Sequence, residues 1–397
     1  MTASANGQTS VFQRAGQLAV PVVLGWGLWV TFLRYYQGLG AATNMSDRMP
    51  WGIWVGFDVL CGVALAAGGF AITGLVYLLD YKRFRPILPA TVLTAFLGYI
   101  LVSVGLLYDL GKPWNMWHVF IMHNPHSVMF EVAWCVILYS TVLTLEFSTL
   151  VLERFHFERV VGVISKITIP AVAMGVLLST LHQSSLGTLF LIVPGKLYKL
   201  WYSPYLPFMF FFSAVTVGFA MVIVESYLSS FFFDHSLEKG ILVDLSRFLL
   251  VAVVFYLAIK CEDLFARKMF GALFEPRLET WCFWLELLLL AIPACLLAFE
   301  RIRLNQHATF LCATSVVLGV VINRLNVSLV GTYAYTGSRY LPSFRELSVS
   351  VFLVMVGAIV FGLAIKYLRI FDIHGHSGGA AAEPLPEPAP ANSGAAL

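Results

Sequence analysis

Ten times along the chain, a run of about twenty residues carries almost no charge. Each run is long enough to cross a ~30 Å hydrocarbon core as a helix rising 1.5 Å per residue. The runs fall at about 17–39, 52–79, 87–108, 127–152, 164–193, 205–231, 242–260, 280–299, 308–330 and 346–370. Hydrocarbon offers the backbone no hydrogen-bond partner, so such runs must satisfy their own peptide groups. The expected fold is all-α: a polytopic membrane protein of about ten transmembrane helices, arranged as two four-helix bundles plus two flanking helices. Residues 1–16 read as a mobile N-terminus, 17–371 as the membrane domain and 372–397, rich in Ala, Pro, Gly and Glu, as a disordered tail. No small-residue cleavage site follows a short apolar stretch, so the first span reads as retained.

Composition agrees with this reading and excludes several classes. Hydrophobic residues make up 59% of the 397 and charged ones 12%, with a mean hydropathy of +0.81. A soluble domain carries about a quarter charged residues, so an ordinary soluble enzyme and a disordered protein are both excluded. A net charge of +3, with no basic stripe, excludes a nucleic-acid binder. Cys61, Cys135, Cys261, Cys282, Cys295 and Cys312 lie mostly in apolar runs, without metal, iron–sulfur or disulfide spacing. There is no C-x-x-C-H motif. Only His182 lies well inside a span, whereas His118, His123, His126, His156, His235 and His307 fall near helix ends or in connections, and His374 and His376 in the tail. One intramembrane histidine cannot ligate two haems, so no haem, iron–sulfur cluster or metal site is expected within the chain.

Charge orients the bundle weakly. Twelve Lys and Arg lie on one set of connections and ten on the other, which favours cytoplasmic termini by a small margin. With that topology, Asp58, Glu131, Asp109, His182, Asn323 and Arg324 fall in the outer half of the membrane. Glu146 and Glu225 fall near the inner surface. Ionisable groups inside hydrocarbon cost on the order of 2.5–3.5 kcal/mol each, so each is a functional candidate. The alternative for Glu286, Arg247 and Arg324 is mutual pairing that locks the bundle. Acids recur at matching places, Glu131 with Glu286 and Asp109 with Asp263, so helices 2–5 and 6–9 are compatible with a parallel repeat.

Helical spacing sharpens two faces. Trp51, Trp54, Asp58 and Gly62 recur as one stripe of helix 2, and Gly175, Ser179, His182 and Ser185, with Gln183 and Ser184 beside them, form a polar stripe on helix 5. An aromatic wall beside a carboxylate and a histidine suits a planar quinone whose oxygens exchange protons. Trp51 also suits an interfacial belt position, and His182 a hydrogen-bonded packing role. Gly38-Leu39-Gly40 precedes no Rossmann-type helix and is no nucleotide loop. A secondary transporter is the rival function. It would use helices broken at equivalent places in two repeats, and Pro170 and Pro293 interrupt helices 5 and 8, which are not equivalent.

Several strings carry a resemblance: MPWGIWVGFD at 49–58, Gly68-Gly69, LYDLGKPW at 107–114, SVMFEVAWC at 127–135, LHQSSLGTL at 181–189 and IVESYL at the end of helix 6. Over roughly residues 30–370 the chain resembles the NrfD/PsrC-type membrane subunits of respiratory complexes, in particular the ten-helix branch with the HybB-type hydrogenase subunit. The resemblance implies a haem-free subunit of the bacterial inner membrane that binds menaquinone or ubiquinone on the periplasmic side. It implies electron exchange with a periplasmic ferredoxin-like subunit carrying several [4Fe-4S] clusters, docked on the 109–126 and 194–204 connections. Multihaem cytochrome c or hydrogenase-type catalytic subunits complete the implied complex. Shorter members place a histidine and an asparagine where this chain has Trp51, Trp54 and Asp58. The expected quinone and proton site is His182, Glu131 and Asp58, supported by Asp109, Gln183, Trp54 and Trp51. Glu225 and Glu146 are expected to form an inner-side proton entrance.

Overall fold

The computed structural model describes residues 3–49, 51–192, 195–233, 239–337, 340–368 and 370; the 372–397 tail and His235 lie outside the described residues. Ten long helices follow one another: α1 (Ala3–Gln37), α2 (Trp54–Leu78), α3 (Leu88–Asp109), α4 (Val128–Arg154), α5 (Glu158–Leu189), α6 (Leu206–Phe233), α7 (Lys239–Ala266), α8 (Leu278–Leu297), α9 (Gln306–Thr336) and α10 (Phe344–Leu368). Among the described residues, nine of them, α2 to α10, are long and apolar enough to cross a membrane, and β structure is confined to the isolated Ser46–Met49 bridge. The first helix begins at Ala3, ahead of the expected start near residue 17, and stops before Gly38, whose φ of 90° suits glycine alone. This is a polytopic all-α membrane protein.

Even-numbered helices begin, and α3, α5, α7 and α9 finish, at one end of the molecule; we call it the outer end. Helices α2–α5 pack as one bundle and α6–α9 as a second, while α1 and α10 lie against each other and against α3. Helix α5 packs on α6, α9 on α2 and α2 on α6, so the two bundles meet along three helix pairs. Lipid tails are as apolar as leucine, so small residues that let backbones approach must drive this packing. Helices α2 and α6 cross backbone to backbone. A Cβ on Gly218 would lie 2.9 Å from the backbone of Ala67 and Gly68, and one on Gly68 3.2 Å from the Gly218 carbonyl oxygen. Likewise, a Cβ on Gly69 would meet Ala95 of α3 at 2.4 Å, and one on Gly27 of α1 the Phe352 ring of α10 at 2.3 Å.

Pro170 and Pro293 were expected to interrupt α5 and α8, but both lie inside continuous helices. The interruptions occur elsewhere. Helix α2 is π-helical over Trp54–Cys61 and Gly74–Leu78, and α9 over Asn326–Val330. The outer two of these wide turns pack together, with Ser328 Oγ occupying the space beside Gly56. A proline signals a break by its missing N–H, whereas a π-turn keeps every N–H bonded and leaves no residue-type mark.

The second bundle holds a saturated polar core. Glu286 pairs with Lys260, and accepts from Asn323 Nδ2 at 2.8 Å, Asn326 Nδ2 at 3.0 Å and Trp201 Nε1 at 3.1 Å. The Lys260 ammonium also lies 4.7 Å from the Phe283 ring centroid. Pairing, the structural alternative for Glu286, is what the bundle contains. Arg247 pairs with Asp244 on the surface, while Arg324 instead lies 3.6 Å from the Phe210 ring centroid and donates to Ser213 Oγ and the Phe210 carbonyl. At the outer end, Asp263 binds Arg267, whose guanidinium also holds the carbonyls of Lys199 and Tyr202. Glu275 accepts from Lys199 and Tyr198, and these two bonds hold its carboxyl below the usual carboxylate range.

Two outcomes follow from this packing. Gly218→Ala should lower stability by about 1–3 kcal/mol, because the added methyl meets backbone that cannot turn aside. Gly162→Ala, with nothing within 4 Å, should be neutral or better, and the midpoint of thermal unfolding in detergent measures both. Lys260→Met should cost about 3–5 kcal/mol by stranding the Glu286 carboxylate, and the double change Lys260→Met with Glu286→Gln should recover much of that loss.

Candidate functional site

The residues that the sequence grouped into one quinone site separate into three places, with Glu131 in none of them. The first is centred on Asp58, in the π-helical stretch of α2. Its carboxylate is 8% exposed, and its Oδ2 accepts from Ser350 Oγ of α10 at 2.7 Å. Among the described residues no cation pairs with it. Gly105 of α3 lies against the Asp58 Cβ, where a side chain would collide at 2.9 Å. Below Asp58, a cavity of about 150 Å³ runs between α2, α3, α6 and α10, walled by Gly62, Gly98, Leu101, Met221 and Leu353, with Thr94 on its lining. Trp54, 1% exposed, sits one turn above Asp58, packed edge-on against Tyr108 at 5.8 Å, and its indole N–H donates to the Glu346 carbonyl at 3.1 Å.

The outer rim of this first place is held from the flanking helices. Arg34 of α1, 2% exposed, donates to the carbonyls of Tyr108 and Leu110 at 2.7 and 2.6 Å, capping the C-terminus of α3 with a cation. Asp109 stands beside that guanidinium, one oxygen buried without a hydrogen bond. Ser343 and Glu346 form a capping box at the start of α10: Glu346 N donates to Ser343 Oγ at 3.2 Å, and Ser343 N to Glu346 Oε2 at 2.7 Å. The same carboxylate accepts from the Tyr340 hydroxyl and from Asn44 N, and the Tyr340 hydroxyl oxygen accepts from Ile53 N at 2.9 Å. Sequence reasoning missed Arg34, Ser350 and Glu346. The S-x-x-E pattern at 343–346 was the one local signal available.

The second place is centred on His182. The ring is fully buried: Nδ1 lies 2.8 Å from the Leu178 carbonyl and Nε2 2.6 Å from the Tyr99 hydroxyl. A carbonyl only accepts, so Nδ1 carries the proton and Nε2 accepts from Tyr99. Tyr139 closes the ring's other side, at 6.1 Å between centroids. Gln183 Nε2 donates to the Val63 carbonyl at 3.0 Å, leaving its Oε1, Ser179 Oγ and Tyr139 OH buried without hydrogen bonds. Tyr99 is six residues before Gly105, so His182 lies about 9 Å deeper than Asp58. His182 and Asp58 therefore do not meet. Glu131 joins neither: it is half-buried in the first turn of α4, capped by Ser127, where a helix N-terminus favours a carboxylate.

The third place holds Trp51. It does not share the face of Trp54 and Asp58, because Trp51 lies before the helix begins and helical spacing does not reach it. Trp51 instead packs edge-on against Phe190 at 5.7 Å, lining a pocket of about 520 Å³ between the ends of α2, α5 and α9, with Ser328, Thr332 and Tyr335 opposite. Toward the inner end, Glu225 of α6 faces Thr94 of α3; the hydroxyl and both carboxylate oxygens are buried without hydrogen bonds. Glu146 lines a separate inner cavity of about 240 Å³ with Glu153 and Tyr77. It stands two turns from Tyr139 on the same face of α4. Among the described residues, no group of three or more His, Cys, Asp or Glu could hold a metal. Cys61, Cys135 and Cys312 are buried free thiols, whereas Cys261 and Cys295 are exposed.

With this geometry in hand, comparison with known proteins is specific. Residues 41–334 match the family described as "Polysulphide reductase, NrfD". The chain is 30% identical over 342 residues to a probable Ni/Fe-hydrogenase 2 b-type cytochrome subunit of Escherichia coli, covering 85% of this chain and 87% of that protein. It is 29% identical over 383 residues to the integral membrane subunit of menaquinone reductase from Nitratidesulfovibrio vulgaris, covering 88% and 90%. It is also 22% identical over 286 residues to an Hdr-like menaquinol oxidoreductase integral membrane subunit of Archaeoglobus fulgidus, covering 70% and 68%. A match across most of α2 to α9, with relatives of near-equal length, assigns this multi-pass membrane chain to the NrfD family.

Proposed function

We propose that this chain is the quinone-interacting membrane subunit of a respiratory electron-transfer complex, with the quinone ring taken at Asp58. The observation that carries the reading is a buried carboxylate without a cation, lining an apolar cavity among four helices. An acid so placed in hydrocarbon costs free energy unless it has a proton or hydrogen-bond task. The relatives' names support the redox class, since they are membrane subunits of hydrogenase, menaquinone reductase and menaquinol oxidoreductase. Menaquinone or ubiquinone, when bound, supplies two-electron chemistry coupled to two protons. The chain supplies the rest: Asp58 holds or releases a proton at Oδ1 or Oδ2, Trp54 walls the site, and the Gly62–Gly98 side of the cavity admits an apolar tail. His182, neutral and accepting at Nε2, serves as the deeper proton station through Tyr99.

Two polar tracks lead inward from these stations. Glu225 and Thr94 stand at the foot of the Asp58 cavity, and Glu146 stands below Tyr139 and His182. We assign the first to proton delivery from the cytoplasmic side. A rigid outer end suits a docked partner: Arg267 and Glu275 fasten the 198–203 connection, and Trp114, Trp117 and Phe120 stand exposed on the 113–120 turn, with Ile121 just after it. A periplasmic ferredoxin-like [4Fe-4S] subunit is the partner proposed for this face, with both termini of the chain cytoplasmic in the inner membrane. A transporter reading uses the same buried acids, but it calls for breaks at equivalent places of two repeats, and the interrupted helices α2 and α9 are not equivalent in a repeat of helices 2–5 and 6–9.

In the assembled complex, Asp58→Asn should lower quinone turnover by about 10²–10⁴-fold, the range for a positioned acid–base group. The partner's clusters should stay intact in that variant. Glu225→Gln should slow turnover while leaving quinone affinity unchanged. Wild-type kinetics in both Asp58→Asn and His182→Ala would return these residues to packing roles. A reporter fused after Leu397 should be active in the cytoplasm, and periplasmic activity would reverse the orientation.

A further inference from the structure

Helix α10 lies wholly beyond the 41–334 stretch that matches the family, yet it supplies the hydrogen bond to Asp58. We propose that Ser350 is a positioning residue that aims the Asp58 carboxylate, making α10 a working part of the quinone site; this rests on the assignment of Asp58 above.

The geometry carries the inference. A hydroxyl inside a helix ordinarily bonds back to the carbonyl four residues earlier, and several here do so, including Thr73 to Gly69, Ser103 to Tyr99 and Thr180 to Val176. For Ser350 that carbonyl belongs to Glu346. It accepts instead from the Trp54 indole, and Ser350 Oγ points across to Asp58 at 2.7 Å. Trp54 and Asp58 are four residues apart on α2, as Glu346 and Ser350 are on α10. The two helices start at the same end and run parallel, so the bonds form two rungs, Trp54 to Glu346 and Ser350 to Asp58. The upper rung is fixed by the Glu346 capping box and by Tyr340, which also accepts from the backbone of Ile53. Asp58 could in principle be held by its own bundle. The neighbouring surface of α3 is Gly105, which offers no side-chain donor. Ser350 is 5% exposed and is the hydroxyl that bonds Asp58, so its removal leaves the carboxylate free to turn.

The test uses the assembled complex and a soluble naphthoquinone as probe, read by equilibrium binding through fluorescence quenching as well as by turnover. Ser350→Ala should weaken probe binding and lower kcat/KM by about tenfold, and Ser350→Thr, which keeps the hydroxyl, should restore both. In a double-mutant cycle, Ser350→Ala should add nothing once Asp58→Asn is present, because Ser350 acts through that carboxylate. Additive losses would show that Ser350 merely packs α10 and would overturn the inference, as would wild-type behaviour of Ser350→Ala while Asp58→Asn is impaired. Wild-type behaviour of Asp58→Asn itself would instead remove the underlying site assignment.

Discussion

The backbone-to-backbone crossing of α2 and α6 at Gly68 and Gly218 governs the arrangement of everything else. Between helices in lipid there is no hydrophobic force to gain, so approach distance decides which surfaces pair. A glycine on each side allows the two helices to touch without side chains between them. Beside it α5 lies on α6, where Gly187 meets the Leu206–Pro207 backbone, and the outer π-turns of α2 and α9 lie side by side. The wide turn over Trp54–Cys61 holds Asp58 against α3 and α10, while Trp51, in the segment before the helix, packs on Phe190.

Buried acids are held in two opposite ways, and the difference separates scaffold from chemistry. Glu286 accepts from four partners, including the Lys260 ammonium, which leaves its oxygens no capacity for a ligand. A carboxylate so saturated is costly to disturb and has nothing free to offer. Where the two bundles face each other, Asp58 of α2 has one hydroxyl partner, and Glu225 of α6 has none of good geometry. Under-bonded acids in hydrocarbon are destabilising, and their retention makes sense where a proton or a polar ligand passes. Burial alone did not make this distinction, since Glu286 is the most deeply buried of the three; the donor inventory did.

How much of this was legible beforehand depends on the length scale of each cause. Transmembrane helices follow from twenty-residue averages of apolarity, so α2 to α10 stood out at once. Which acids matter depends on donors distant in sequence: Ser350 lies 292 residues from Asp58, and no local pattern marks that meeting. The stripe through Trp51, Trp54 and Asp58 assumed helical spacing from residue 51, but the helix starts only after Gly52 and Trp51 falls off the face. His182 and Asp58 were placed together because both fall in the outer half of their spans, and half a span is too coarse to resolve the ~9 Å between them. Asn326 and Trp201 escaped notice because neither is charged, although both complete the shell of Glu286.

The flanking helices give a reason for this pattern of bonding. Arg34, Glu346 and Arg267 each satisfy backbone or side-chain groups at the outer ends of neighbouring helices: Arg34 caps α3, Glu346 ties α10 to the segment before α2, and Arg267 fastens the connection before α6. Helix ends in a membrane must find such partners or fray. With the ends fixed from outside, the groups one or two turns below keep their places without being saturated themselves. Asp58 can then carry a single hydroxyl bond and still point in one direction. A site of that kind is preorganised yet keeps lone pairs available, as a group that exchanges protons with a ligand requires.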